Sequence, residues 1–256
     1  MAILIDAPAI AVPVSLDRED NFQKFAVNIS SKSLGDGIPL RPMPLGASIT
    51  YGQGSTDGNG YREHLRSAIT DGGNLVNMVG TRKAGTMKDN DVEGWPGYRI
   101  DQIVPKARVA VPEYKPNVIL VNAGTNDAVQ NKDIPNAGSR MEGMINNLFE
   151  DSPKATVILS TLIINLNANA EKNVKLINVQ YKALADRLQG EGKHVVLADM
   201  HGADGPQKED MHDDTHPDDE GHAKMAAIWY RALEEASDNG WLVKAEDIGI
   251  PDDGAA

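Results

Sequence analysis

Three β-branched apolar runs constrain this chain's fold more than any other feature. They are Val118-Ile119-Leu120-Val121, Ala155-Thr156-Val157-Ile158-Leu159 and Val195-Val196-Leu197. Nearly unbroken rather than alternating, each reads as a strand buried on both faces. The run at 40–45 and Leu75-Val76-Asn77-Met78-Val79 add two more strands. Between them lie stretches with helical spacing: Tyr61, Leu65 and Ile69; Ile100, Ile103 and Val104; Met141, Met144, Ile145, Leu148 and Phe149; Ile177, Tyr181, Leu184 and Leu188; Met225, Ile228, Trp229 and Leu233. Ser139-Arg140-Met141-Glu142 has the form of a capping box and predicts that the third of these helices opens there. Strands alternating with helices predict an α/β protein, with a five-stranded parallel sheet covered on both faces. Ligands of such sheets bind at the carboxyl ends of the strands.

A length of 256 residues suits one domain. Residues 1–38 read as an N-terminal extension and residues 39–256 as the folded domain. Within the extension Phe25, Val27 and Ile29 alternate like a short strand, and Gly35-Asp36-Gly37 marks a turn. Asn28-Ile29-Ser30 has the form of a glycosylation sequon, a pattern that short chance matches also produce. The first residues lack a basic region and are interrupted by Asp6, Pro8 and Pro13, which makes a poor signal peptide.

The net charge of −12 argues against nucleic acid and against an anionic membrane surface as partners. No apolar run approaches the roughly 18 residues of a spanning helix. With no cysteine, thiolate catalysis, disulfides and cysteine zinc sites are excluded.

Three stretches at predicted strand ends carry chemistry. Pro42-Met43-Pro44-Leu45-Gly46-Ala47-Ser48 reads as a strand ending in a small-residue turn that presents one hydroxyl. A lone serine there is more often a helix cap. As a nucleophile it needs a base in reach, and the base needs an orienting acid. Asp213 and His216, three residues apart in Asp213-Asp214-Thr215-His216-Pro217, can meet across a short turn, leaving one imidazole nitrogen free as the base. Asp214 points elsewhere at that spacing. Asn126 in Asn122-Ala123-Gly124-Thr125-Asn126-Asp127 offers an amide to a developing oxyanion, though the composition also suits a plain turn. Gly97, in Trp95-Pro96-Gly97-Tyr98, offers a backbone N–H or forms a simple Pro-Gly turn. His212, His216 and His222 among aspartates raise a metal site as an alternative, but Pro217 argues against the continuous helix that a four-residue histidine pair needs. The loop at 81–97 is longer than a connection requires, which points to function.

In this order, the blocks PLGASITYG, EGWPGYRI, NAGTND and DDTHPDDEGH resemble the SGNH (GDSL-type) hydrolase superfamily, from about residue 39 to 236. Gly58-Asn59-Gly60-Tyr61-Arg62, Asn77-Met78-Val79-Gly80-Thr81 and Glu93-Gly94-Trp95-Pro96-Gly97-Tyr98 are similar to its acetyl xylan esterase-like branch. The resemblance implies a three-layer, flavodoxin-like α/β/α sandwich with strand order 2-1-3-4-5. It further implies Ser48 as nucleophile, His216 as base, Asp213 as its orienting acid, and an oxyanion hole from the N–H groups of Ser48 and Gly97 and the Asn126 amide. It is an esterase pattern without cofactor or metal, acting on an acylated carbohydrate or small ester as an extracellular monomer, the cytoplasm being the alternative location. A general short-chain carboxylesterase or lipase-like enzyme, or a catalytically weak carbohydrate-binding module, are the rival functions. Thr50 stands where a G-x-S-x-G elbow has its second glycine, which separates the chain from the α/β-hydrolases. Trp95 and Tyr98 are candidate sugar-stacking residues, or simply packing over the site. One departure stands out: Ala47 replaces the aspartate usual in Gly-Asp-Ser, so whatever that aspartate fixes must be held otherwise.

Overall fold

A computed structural model describes residues 33–256. The strand expected at Phe25–Ile29 and the sequon at Asn28 lie outside the described residues. In chain order the strands are β1 (Pro42–Gly46), β2 (Arg82–Lys83), β3 (Asp91–Gly94), β4 (Val118–Asn122), β5 (Thr156–Ser160) and β6 (Val195–Ala198). The helices are α1 (Ser48–Tyr51), α2 (Tyr61–Asp71), α3 (Ile100–Tyr114), α4 (Thr125–Val129), α5 (Ala137–Asp151), α6 (Ala168–Gly190) and α7 (Asp219–Asp238).

The sheet runs β2-β3-β1-β4-β5-β6. All neighbours are parallel except the β2–β3 hairpin. The α/β/α expectation holds, but the sheet has six strands rather than five. The difference lies at Leu75–Val79, which runs beside the start of β1 without forming a full ladder. Its hydrogen bonds to β1 and to Leu40 just before it are Leu40 N to Leu75 O, Asn77 N to Leu40 O and Val79 N to Pro42 O, at 2.9–3.0 Å. Even-numbered residues of β1 turn their backbone groups toward this side. Two of them, Pro42 and Pro44, have no N–H, so the ladder lacks its donors and the strands part. The vacant half of the edge is taken by β3, in register Leu45↔Glu93 and Gly46↔Gly94. The long loop at 81–97 thus contains a hairpin.

Each central strand divides its side chains between two cores. Ile119, Val121, Val157 and Leu159 pack with Met43 and Leu45 against α3, α5 and α6. Val118, Leu120, Ile158 and Val196 pack against α2 and α7. Every one of these residues is buried, which explains the unbroken apolar runs. Replacing one such side chain with alanine typically costs about 2–5 kcal/mol. Helix α5 starts at Ala137, after Asn136, rather than at the capping box expected around Ser139. Helix α3 is longer than its apolar spacing suggested and accommodates Pro105 and Pro112.

Candidate active site

Gly46 ends β1 because nothing larger fits. A Cβ there would lie 2.3 Å from both the Asn122 carbonyl and Thr50 Oγ1. The chain then turns at Ala47 into the four-residue helix α1, which closes at Gly52 with φ 102°. Ser48 is therefore the first residue of a helix and not its cap. Ala47 is buried among the apolar residues on the α3 side. Backbone bonds hold the turn at Gly46 and Ala47, with Tyr51 N donating to Ala47 O at 3.0 Å and Trp95 N to Gly46 O at 2.9 Å. Those bonds are what this chain has where Gly-Asp-Ser sequences have a carboxylate.

The loop before α7 folds into a tight turn, with Met211 and Pro217 bridged across it. Asp213 Oδ1 accepts the amides of Thr215 at 2.7 Å and His216 at 2.8 Å, an Asx turn that fixes the carboxylate beside the imidazole. Asp213 Oδ2 lies 2.8 Å from His216 Nδ1. On the far side of the ring, Nε2 lies 2.9 Å from Ser48 Oγ. An ionised carboxylate only accepts, so Nδ1 carries the proton and Nε2 is left as the acceptor for the serine hydroxyl. Burial pushes the Asp213 carboxyl up, but the bonds from His216 and from the Thr215 and His216 amides outweigh it and hold the group below its ordinary value. Asp214 is exposed and gives only its carbonyl, to Leu166 N at 2.8 Å.

Trp95-Pro96-Gly97-Tyr98 is a turn closed by Tyr98 N to Trp95 O at 3.0 Å, with Gly97 at φ 81°. That is the type II form, with proline and glycine in the central places. The Gly97 N–H takes no part in the turn's own bond. Asn126 Nδ2 donates to Tyr98 O at 3.0 Å, so one amide hydrogen joins the two loops and the second is free of that bond. The first N–H groups of a helix, such as that of Ser48, have no partner within it.

Trp95 is enclosed on several sides. Its Nε1 donates to buried Glu93 at 2.6 Å. Tyr98 stacks on it at 5.5 Å, and Arg82 and Lys106 lie 4.7 and 4.1 Å from its ring centroid. Of the three histidines raised for a metal, His216 meets Ser48, while His222 is fully buried and bonded to the Gln53 carbonyl. Among the described residues no group of three or more His, Asp or Glu is placed to hold a metal ion.

Sequence reasoning missed the groups that hold the Asp213–His216 turn. Asn165, buried, donates from Nδ2 to Thr215 Oγ1 at 3.1 Å, and Glu171 accepts the Asn165 amide at 2.9 Å. No local pattern links positions 165 and 215.

The sequence pattern of the GDSL-like lipase/acylhydrolase family matches residues 45–224. The chain belongs to this family. The match starts at the end of β1 and takes in Ser48, Gly97, Asn126, Asp213 and His216. A multidomain esterase of Ruminococcus flavefaciens is 27% identical to this acylhydrolase over 246 aligned positions; these cover 82% of the chain and 31% of that protein. The chain thus spans about a third of its curated relative's length. Among solved structures, the fold resembles a Clostridium thermocellum family 3 carbohydrate esterase, with a TM-score of 0.69 and 22% identity over 77% of this chain and 98% of that one. A family 3 carbohydrate esterase from Talaromyces cellulolyticus gives 0.68 and 21%, over 78% and 99%. An acetyl esterase crystallised as a serine-to-alanine mutant with an acetate ion gives 0.66 and 20%, over 77% and 100%. The family model thus spans all the candidate site residues, and carbohydrate esterases are among the chain's structural neighbours.

Proposed function

We propose that this acylhydrolase removes short acyl groups, acetyl above all, from plant cell-wall polysaccharide such as xylan, through an acyl-enzyme on Ser48. The observation that carries the reading is the continuous chain Asp213–His216–Ser48, with 2.8 Å and 2.9 Å links. His216 Nε2 takes the hydroxyl proton as Ser48 Oγ attacks the ester carbonyl. The carbonyl oxygen becomes an oxyanion that the N–H groups of Ser48 and Gly97 and the Asn126 amide receive. Collapse breaks the acyl C–O bond, and His216 returns the proton to the departing alcohol. Water then repeats the sequence on the acyl-enzyme and frees the acid. Asp213 keeps Nδ1 protonated and stabilises the imidazolium, without itself taking a proton.

Acetyl as the acyl group and xylan as the carrier rest on the likeness to the acetyl xylan esterase-like branch and on the carbohydrate esterases among the structural neighbours. We place the enzyme outside the cell, as a monomer needing no metal, on the same grounds. The enclosure of Trp95 by Arg82, Lys106 and Tyr98 favours a packing role for Trp95 over sugar stacking.

The test is hydrolysis of 4-nitrophenyl acetate and acetate release from acetylated xylan by wild type and Ser48→Ala. A loss of several orders of magnitude is expected in the variant, as removal of a triad member causes. Equal rates for the two proteins sink the mechanism. Acetate release from simple esters but from no acetylated polysaccharide leaves the general short-chain carboxylesterase.

A further inference from the structure

Beside α1 lies a groove of about 420 Å³ that the chemistry above leaves unused. Its volume falls within the roughly 300–1,000 Å³ of small-molecule sites. Tyr51, Gln53, Ser55, Lys83 and Asn90 line it, between stretches of glycine backbone. We propose that it is a saccharide subsite that holds the sugar ring on the alcohol side of the ester. This rests on the esterase reading and adds where the carbohydrate sits.

Its position is the first argument. The groove begins on the helix that carries Ser48, one turn along at Tyr51. Its wall at Gly54 closes against the loop of His216: a Cβ there would lie 3.1 Å from His216 Cβ and 2.1 Å from the Pro217 carbonyl. The imidazole must hand its proton to the leaving alcohol, so that alcohol sits within hydrogen-bond reach of Nε2. A sugar attached there meets the groove next.

Its lining is the second. Amide, hydroxyl, ammonium and peptide groups share the lining about equally with apolar surface, the mixed character that a pyranose ring, with hydroxyls on its rim and C–H groups on its faces, also presents. Tyr51 supplies one aromatic surface, an apolar body with a polar tip. Arg82, which does not line the groove, covers the ring at 4.7 Å.

The construction is the third. The glycines are there because backbone strands touch: a Cβ on Gly52 would meet the Gly58 carbonyl at 2.1 Å, and one on Gly58 would meet Gly85 Cα at 3.2 Å. Arg62, fully buried, fastens this floor. Its guanidinium donates to the carbonyls of Tyr51, Gly58, Ala84 and Asn90 at 2.9–3.4 Å. Burial pushes its pKa below the ordinary arginine value, a cost that a solvated arginine avoids. The groove is thus a fixed, preorganised surface, and rigidity lowers the entropic cost of binding.

The experiment compares two substrates, 4-nitrophenyl acetate and an acetylated xylo-oligosaccharide, in wild type, Tyr51→Ala and Gln53→Trp. Gln53 is exposed on the rim, so the indole fills the groove from outside. We expect the ratio of the two kcat/KM values, oligosaccharide over small ester, to fall at least tenfold in Gln53→Trp, chiefly through KM. Tyr51→Ala should lower it in the same direction. An unchanged ratio in both variants overturns the subsite. A binding arm separates this result from failure of the esterase reading. Ser48→Ala is titrated with the oligosaccharide, with and without Gln53→Trp. If wild type cleaves neither ester but Gln53→Trp weakens binding, the esterase reading falls and the subsite stands. Equal binding with and without the indole removes it.

Discussion

His222 donates from Nε2 to the backbone carbonyl of Gln53 at 3.1 Å, joining the first turn of α7 to the chain that leaves Ser48. Gln53 N donates in turn to Ser48 O at 3.0 Å. The carbonyl only accepts, so the proton is on Nε2 and Nδ1 is bare. Nδ1 is buried without a hydrogen-bond partner. The imidazole is therefore neutral by construction: a second proton would place a charge and an unsatisfied donor inside the α2–α7 core.

A pH dependence of stability follows. Burial pushes the His222 imidazole down from 6.5 to about 4; the Gln53 carbonyl and Asp219 act the other way, and His64 and Arg62 reinforce the fall. The unfolded imidazole binds a proton below about 6.5, while the folded one refuses it until about 4. In that window the unfolded state holds more protons, so stability drops as pH falls and levels out below it. The full effect is about 3 kcal/mol. His222→Gln keeps an N–H for Gln53 but cannot titrate. Urea unfolding at pH 7, 5.5 and 4 should show a shallower pH slope in the variant than in wild type. Parallel slopes would assign the acid sensitivity to other groups.

Asp213→Asn should leave the fold intact and lower kcat by about 10⁴, because an amide can donate to Nδ1 and turn the imidazole to the wrong tautomer. The exposure of Asp213 makes this a demanding test, since its carboxylate is half open to water. Steady-state rates on 4-nitrophenyl acetate decide it. A loss below tenfold would mean that the Asx turn, and not the charge, orients His216. Because Asp213 is held below the ordinary carboxylate value, its protonation should contribute nothing to a fall in activity between pH 7 and 5.

The layers and the central strands were legible because they depend on local patterns, unbroken apolar runs and helical spacing; the three-residue Asp–His separation is local too, whereas the meeting of His216 with Ser48 was legible only through the family resemblance of the four blocks. Two things were not. Leu75–Val79 has strand composition, and nothing within it says that it cannot complete a ladder. The reason sits in its neighbour, in the missing N–H groups of Pro42 and Pro44. The supports of the site are equally remote, since Asn165 meets Thr215, Arg62 meets Ala84 and His222 meets Gln53 only through the tertiary fold. For Trp95 the sequence left sugar stacking and packing both open, and what surrounds the ring, Arg82, Lys106 and Glu93, is again remote or unreadable from the local pattern.

Asn165→Ala should reduce kcat roughly five- to tenfold with little change in KM, the equivalent of one hydrogen bond of about 1 kcal/mol. The side chain touches neither Ser48 nor His216 in any hydrogen bond; it holds Thr215, whose amide bonds Asp213 at 2.7 Å. Asn165→Asp keeps an oxygen for the Thr215 hydroxyl and for the Asn167 amide, so activity should return in that variant. Equal defects in the two substitutions would mean that Asn165 is needed for packing rather than for aligning the turn.

Asp127 is the point where both proposed oxyanion loops are tied. It is fully buried next to Asn126. Its Oδ2 accepts Ile100 N at 3.0 Å, three residues past Gly97, and its Oδ1 accepts Arg140 Nη1 at 2.5 Å. Asp127→Ala removes both anchors and leaves Arg140, whose side chain is only 15% exposed, without this partner. Breaking such a pair from one side costs about 3–5 kcal/mol. The loss should appear in the denaturation midpoint and, at a temperature where the variant is folded, in kcat as well, because Gly97 and Asn126 lose their common brace. Arg140→Ala should destabilise comparably, by stranding the Asp127 charge. The double variant should then be more stable than the two single losses added together, since neither charge is left unpaired. Strict additivity would show that the pair is not coupled and that Asp127 acts through the Ile100 amide alone.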